Sequence, residues 1–311
     1  MVGRRLGRML AVVLGTALGV GATAVAAEST PMVHIPAGEF VMGASPEEQQ
    51  RVLDFGWQGP VQNRLRFVVQ HSGPRHRVYL DAFYLDRHEA TNRAYQGFVQ
   101  ATGHRRPHFW QGPWQLSEPE QPVVGVSWYD ARAFCDWQGK RLPTEAEWEK
   151  AARGADGRRY PWGDEWDAGR LHSADAVAVR PLPSFGVWSA WQRAMTAGVG
   201  VARPAAVGSY PGGASPYAAL DMAGNVWEWV ADWYAPDYYA SAPPRNPTGP
   251  QHGGPKVLRG GGWDVPRVIA VTWLRDHFIP PEFTRSPVTG FRCAAIRPPG
   301  MRPAAYRGAE Q

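Results

Sequence analysis

Apolar positions fall into helical stripes at only a few places along the chain. After Thr91, the residues Tyr95, Phe98 and Val99 share one face up to Gly103, which predicts a helix capped at its start and stopped by glycine. Ser127-Trp128-Tyr129-Asp130 opens a second helix, with Ala131, Phe134 and Cys135 on its stripe and Gly139 at its end. A third follows Pro143: Thr144 and Glu147 form a capping box, and Trp148, Ala151 and Ala152 lead to Gly154. Met32 to Gly43 reads as two short strands around a Pro-Ala-Gly turn, and Arg77 to Leu85 alternates as a strand should. Residues 44 to 75 read as irregular, apart from a short helix opening at Ser45-Pro46-Glu47-Glu48. Beyond Gly154 helical period fades, and short apolar pieces rich in tryptophan (Trp188, Trp191, Trp227, Trp263 among them) are cut by Gly, Pro, Asp and Ser. No fixed-period repeat is present, which argues against a propeller or solenoid. The pattern predicts one α+β domain with few helices, short strands and long loops.

Composition agrees with that reading. In 311 residues there are 35 glycines and 29 prolines, about a fifth of the chain, so much of it must be turn and loop. With 44% hydrophobic and 20% charged residues the chain is neither disordered nor a coiled coil. The formal charge of +5 owes three units to Arg4, Arg5 and Arg8, and no acid precedes Glu28. Without that segment the balance is +2, which is no footprint for nucleic acid, and no nucleic-acid partner is expected.

That basic start, the apolar run Met9 to Val20 and the small residues through Ala27 have the layout of a secretory signal peptide. Cleavage is expected after Ala26, giving residues 1–26 as signal, 27–297 as the domain and 298–311 as a disordered tail. The apolar run is broken by Gly15, Gly19 and Gly21 and is short for a span of about 20 residues. A periplasmic or secreted protein without stable membrane insertion is therefore expected. Arg4-Arg5 suggests a twin-arginine variant, but Gly7 and Arg8 follow where apolar residues would be wanted. The two cysteines, Cys135 and Cys293, form none of the spacings of Cys-based metal or haem sites, and are either a bridge or two buried thiols.

Four segments together resemble the sulfatase-modifying-factor, or formylglycine-generating enzyme, family. They are Ile35-Pro36-Ala37-Gly38-Glu39-Phe40-Val41-Met42-Gly43; Pro122 to Trp128 running on to Gly139-Lys140-Arg141-Leu142-Pro143-Thr144-Glu145-Ala146-Glu147-Trp148-Glu149; Asp221-Met222-Ala223-Gly224-Asn225-Val226-Trp227-Glu228-Trp229; and Arg259-Gly260-Gly261-Gly262-Trp263 with Gly290-Phe291-Arg292-Cys293. The resemblance implies a loop-rich, C-type-lectin-like fold and a Cys135–Cys293 disulfide. It also implies a calcium loop, with side-chain oxygens of Asp221 and Glu228 and backbone carbonyls of Gly224 and Val226 as ligands. The alternative for that loop is a turn in which Asp221 caps and Glu228 pairs with an arginine. Asp175 stands as a remnant of a second calcium site.

In the family, copper is held by two cysteines placed three and eight residues after the serine of an Arg-Gly-Gly-Ser segment. Here Gly262 stands at the serine, and Val265 and Ala270 at the cysteines, so copper bound by the usual pair is not expected. Among nine histidines, His104 and His108 are spaced for a metal, but Pro107 breaks the helix that would align them and the intervening arginines oppose a cation. His277, oriented by Asp276, is the one candidate for residual catalysis. The expectation is an exported member that does not generate formylglycine but binds a protein or peptide partner in a cleft lined by Trp227, Arg259, Gly262 and Trp263, assisting its maturation. The alternative is a metal-dependent oxidoreductase using other ligands.

Overall fold

Three small sheets and eight helices are joined by long loops in the computed structural model, which describes residues 30–57, 59–196, 203–277 and 284–298. The expected signal segment and all but Pro298 of the expected tail lie outside the described residues. Strands β1 (Met32–Ile35) and β2 (Gly38–Met42) form where the pattern placed them, but each joins a different sheet. Helices α1 (Pro46–Leu53) and α2 (Gly59–Gln70) follow. The stretch expected as one strand is two, β3 (His76–Leu80) and β4 (Phe83–Asp86), broken at Asp81-Ala82. β2 pairs antiparallel with β3, and β1 with β4.

The three helices marked by their caps form as expected: α3 (Asn92–Thr102), α4 (Trp128–Trp137) and α5 (Glu145–Arg153). Thr144 and Glu147 close the capping box of α5, each side chain accepting from the other's backbone N–H at 3.1 and 2.8 Å. Further along lie α6 (Ala174–Val177), α7 (Phe185–Thr196), β5 (Trp227–Trp233) and α8 (Tyr238–Ser241). The last strands are β6 (Lys256–Arg259), β7 (Arg275–His277), β8 (Thr289–Phe291) and β9 (Ala294–Ala295). The central sheet has the order β7-β6-β5-β8, with β5 and β8 parallel, and β9 completes the sheet of β1 and β4.

Two helices depart from the expected irregularity, α2 and α7. Both carry apolar residues at helical spacing: Leu65, Val68 and Val69 on α2, and Trp188, Trp191 and Met195 on α7. These side chains pack into the larger apolar core, beside the start of β5. Cys135 of α4 is bridged to Cys293, with Cα atoms 5.7 Å apart, tying the helix to the C-terminal strands across 158 residues. Among the described residues no helix is long and apolar enough to cross a membrane.

Candidate functional site: a tryptophan-lined cleft

All nine residues of α5 are buried, five of them charged. Such a helix is tolerated only if its charges are paired and hydrogen-bonded. Arg259 supplies that pairing: its guanidinium reaches Glu149 at 2.7 Å and Glu145 at 3.2 Å and donates to the Thr272 carbonyl. Arg275 holds Glu145 at 2.8 Å, and Arg153 holds Glu149 at 3.0 Å. Arg259 is fully buried in this network and does not line the cleft, so that expectation is corrected. Its partners lie 110 and 114 residues away, beyond any local pattern.

The Asp221 to Glu228 turn is likewise built around an arginine. Both carboxylate oxygens of Glu228 accept from Arg292 at 2.7 Å, and one also accepts from the Trp148 indole at 2.9 Å. Asp221 has φ 57° and takes the Gly208 N–H at 2.6 Å. Gly224 is required by contact as well as by its φ of 79°, since a Cβ there would lie 2.4 Å from the His172 carbonyl oxygen. Of the two arrangements expected for the segment, the geometry is the turn in which Glu228 pairs with an arginine. A calcium ion assigned to Asp221, Gly224, Val226 and Glu228 would have to share Glu228 with the Arg292 guanidinium and Asp221 with the Gly208 N–H. Asp175 is spent on the backbone N–H groups of Leu182 and Arg267. Among the described residues no three His, Cys, Asp or Glu side chains gather as a metal set.

The histidine expectations change in the same way. Asp276 pairs with Arg64 of α2 at 3.0 Å and accepts from the backbone N–H of His277, so it does not orient the His277 ring. That ring stacks on Tyr234, with centroids 4.0 Å apart, and burial lowers its pKa. His104 meets Asp130 at the start of α4, 2.9 Å away, beside Arg105.

A cleft of about 440 Å³ lies between α2, α7 and the loop after Trp263. Its walls include Trp57, Leu65, Trp188, Trp227, Val265 and Ile269, and Asp264 and Asp276 lie on it too. Trp227 lines this cleft, whereas Gly262 and Trp263 do not; a Cβ at Gly262 would come 3.3 Å from Trp227 and 3.0 Å from the Asp264 carboxylate. Trp57 and Trp188 meet edge to face at 5.6 Å, and the Trp188 indole donates to the Asp264 carbonyl at 2.8 Å. Val265 and Ala270 do come together, both against Gly261, where a Cβ would lie 3.1 Å from the valine methyl and 3.6 Å from the alanine methyl. The two positions implied for a copper pair therefore both lie against Gly261, Val265 on the cleft wall and Ala270 fully buried, and both present hydrocarbon. No copper ion fits side chains without donor atoms. Sequence reasoning missed Trp57, Leu65, Trp188 and Asp264; the apolar spacing on α2 and α7 was the signal that could have found Leu65 and Trp188.

Comparison with known proteins gives a consistent picture. Residues 20–296 match the model of the sulfatase-modifying factor enzyme 1-like domain. The chain is 34% identical to a formylglycine-generating enzyme of Streptomyces coelicolor, over 84% of this chain and 88% of that one. It is 30% identical to a formylglycine-generating enzyme of Thermomonospora curvata, over 85% and 93%. Among solved structures, PvdO from Pseudomonas aeruginosa matches with a TM-score of 0.63 at 25% identity, covering 86% of this chain and 94% of that one. Treponema denticola variable protein 1 shares the fold, with a TM-score of 0.60 at 22% identity over 86% and 95%.

Proposed function

The chain belongs to the sulfatase-modifying factor enzyme 1-like domain family, and we propose that it is an exported member that binds a protein or peptide in the tryptophan-lined cleft and assists that partner's maturation without oxidising a cysteine. The observation that carries this reading is the pair Val265 and Ala270, side by side at Gly261, where a thiolate copper site would require sulfur. The cleft remains, with indoles whose large amphipathic faces suit peptide side chains. Export is supported by the basic, apolar and small-residue order of residues 1–26, and a buried disulfide suits an oxidising compartment. The Streptomyces and Thermomonospora relatives are named for formylglycine generation; the proposal keeps substrate binding for this chain and drops that chemistry.

The test is incubation of the purified protein with copper, reductant, oxygen and a cysteine peptide bearing a sulfatase motif, read by mass spectrometry. No formylglycine above the peptide-only control is expected. Turnover would sink the reading and favour the oxidoreductase alternative with other ligands.

A further inference from the structure

Asp264 sits on the wall of a largely apolar cleft, and its Oδ1 is shielded from solvent without a hydrogen-bond partner among the described residues. Glu145, Glu149 and Glu228, by contrast, have every oxygen engaged by arginine, indole or backbone N–H, and the other buried carboxylate oxygen without a partner among the described residues, Glu89 Oε2, does not line this cleft. The backbone of Asp264 is held in place by the Trp188 indole, which donates to its carbonyl at 2.8 Å, and Gly262 leaves room for the carboxylate, since a Cβ there would lie 3.0 Å from Oδ1. A buried polar atom without a partner is costly, and that cost is offset when a ligand supplies the missing donor.

The charges around the cleft decide what that donor must be. Arg64 from α2 and Asp276 from β7 share the wall and pair with each other at 3.0 Å, which leaves Asp264 as the excess charge. Apart from Gln192 the rest of the wall is apolar, and it includes the indoles of Trp57, Trp188 and Trp227 with Leu65, Val265 and Ile269. Indole faces attract an organic cation, and hydrocarbon walls accept a methylene stem. We propose that the cleft takes a lysine side chain of the peptide partner, its stem between the tryptophans and its ammonium on the Asp264 carboxylate. This assignment rests on the reading of the cleft as a peptide-binding site and names the side chain that it selects.

The ammonium needs the ionised carboxylate. Burial raises the Asp264 pKa to about 6 in the free protein, so lysine affinity is constant near pH 8 and falls as the carboxyl protonates below about pH 6. The test uses Nα-acetyl-lysinamide and its uncharged isostere Nα-acetyl-norleucinamide, titrated by calorimetry and tryptophan fluorescence at pH 8 and pH 5. The lysine compound is expected to bind at least tenfold tighter than the norleucine compound, to weaken about tenfold at pH 5, and to lose its advantage in Asp264→Asn. Near-ultraviolet dichroism checks that the variant keeps its fold. Equal binding of both compounds, or unchanged lysine binding in Asp264→Asn, overturns the lysine assignment while leaving the cleft as a binding site. Binding of neither compound overturns the assignment, and a peptide that also fails to quench the cleft tryptophans takes the peptide-binding reading with it.

Discussion

In the core around α5, Glu145 and Glu149 give all four carboxylate oxygens to arginines or to the Gly43 N–H, whereas Asp264, partly exposed at the cleft, keeps one oxygen without a partner. The first region is charged and finished: arginines from β6, β7 and α5 itself meet carboxylates of one helix, and nothing is left to offer a ligand. The second is largely apolar and unfinished, with Asp276 paired to Arg64 but Asp264 held by no arginine among three tryptophans. A family signature can therefore mark either kind of site. Arg259 and Glu228 belong to signature segments yet serve the core, while Asp264, one residue past Trp263, faces the cleft.

The comparison can be broken most forcefully in the core. Glu149→Ala leaves the Arg259 and Arg153 guanidiniums short of their shared carboxylate, and removing one partner of a buried pair costs about 3–5 kcal/mol. Urea unfolding should show that loss; a change below 1 kcal/mol would mean that the network relaxes onto Glu145 and the backbone carbonyls. In the cleft the sign reverses. Burial lifts the Asp264 carboxyl from 3.8 to about 6, so the native state holds a proton that the unfolded chain releases. The stability from this group is present below about pH 4 and lost as pH rises through about 6. Asp264→Asn should therefore stabilise the ligand-free protein at pH 7.5 by about 1–3 kcal/mol and have no effect near pH 3.5. Destabilisation at pH 7.5 would assign Asp264 to the finished kind of site. The smallest effect is expected at the Asp221 to Glu228 turn, where Arg292 already neutralises Glu228. Adding a chelator should leave the melting temperature unchanged, and a drop that calcium restores would place a cation at the turn after all.

Much of the fold was legible because its signals are local. Thr144 with Glu147, Ser127 with Asp130 and Thr91 with Gly103 each announce a helix within a few residues, and the structure keeps all three. The disulfide was readable only through the family resemblance, since two cysteines 158 residues apart carry no spacing signal. The roles of Arg259, Asp276 and His277 were misplaced because their partners come from distant segments: Glu149 for Arg259, Arg64 for Asp276 and Tyr234 for His277. The cleft was half legible. Trp227 lies in a signature segment, but its opposite wall comes from α2 and α7, where apolar spacing starts after Gly59-Pro60 and among aromatic residues that read equally well as loop anchors.

The central claim is that hydrocarbon has replaced the metal donors at a cleft that is otherwise kept. Competition for Cu(I) against a chromophoric chelator tests it most directly, with the double variant V265C/A270C beside the unaltered protein. Because both positions pack against Gly261, the variant should withdraw one equivalent of Cu(I) per chain and the unaltered protein none. Stoichiometric uptake by the unaltered protein, lost on substitution of a residue lining the cleft, would contradict the account.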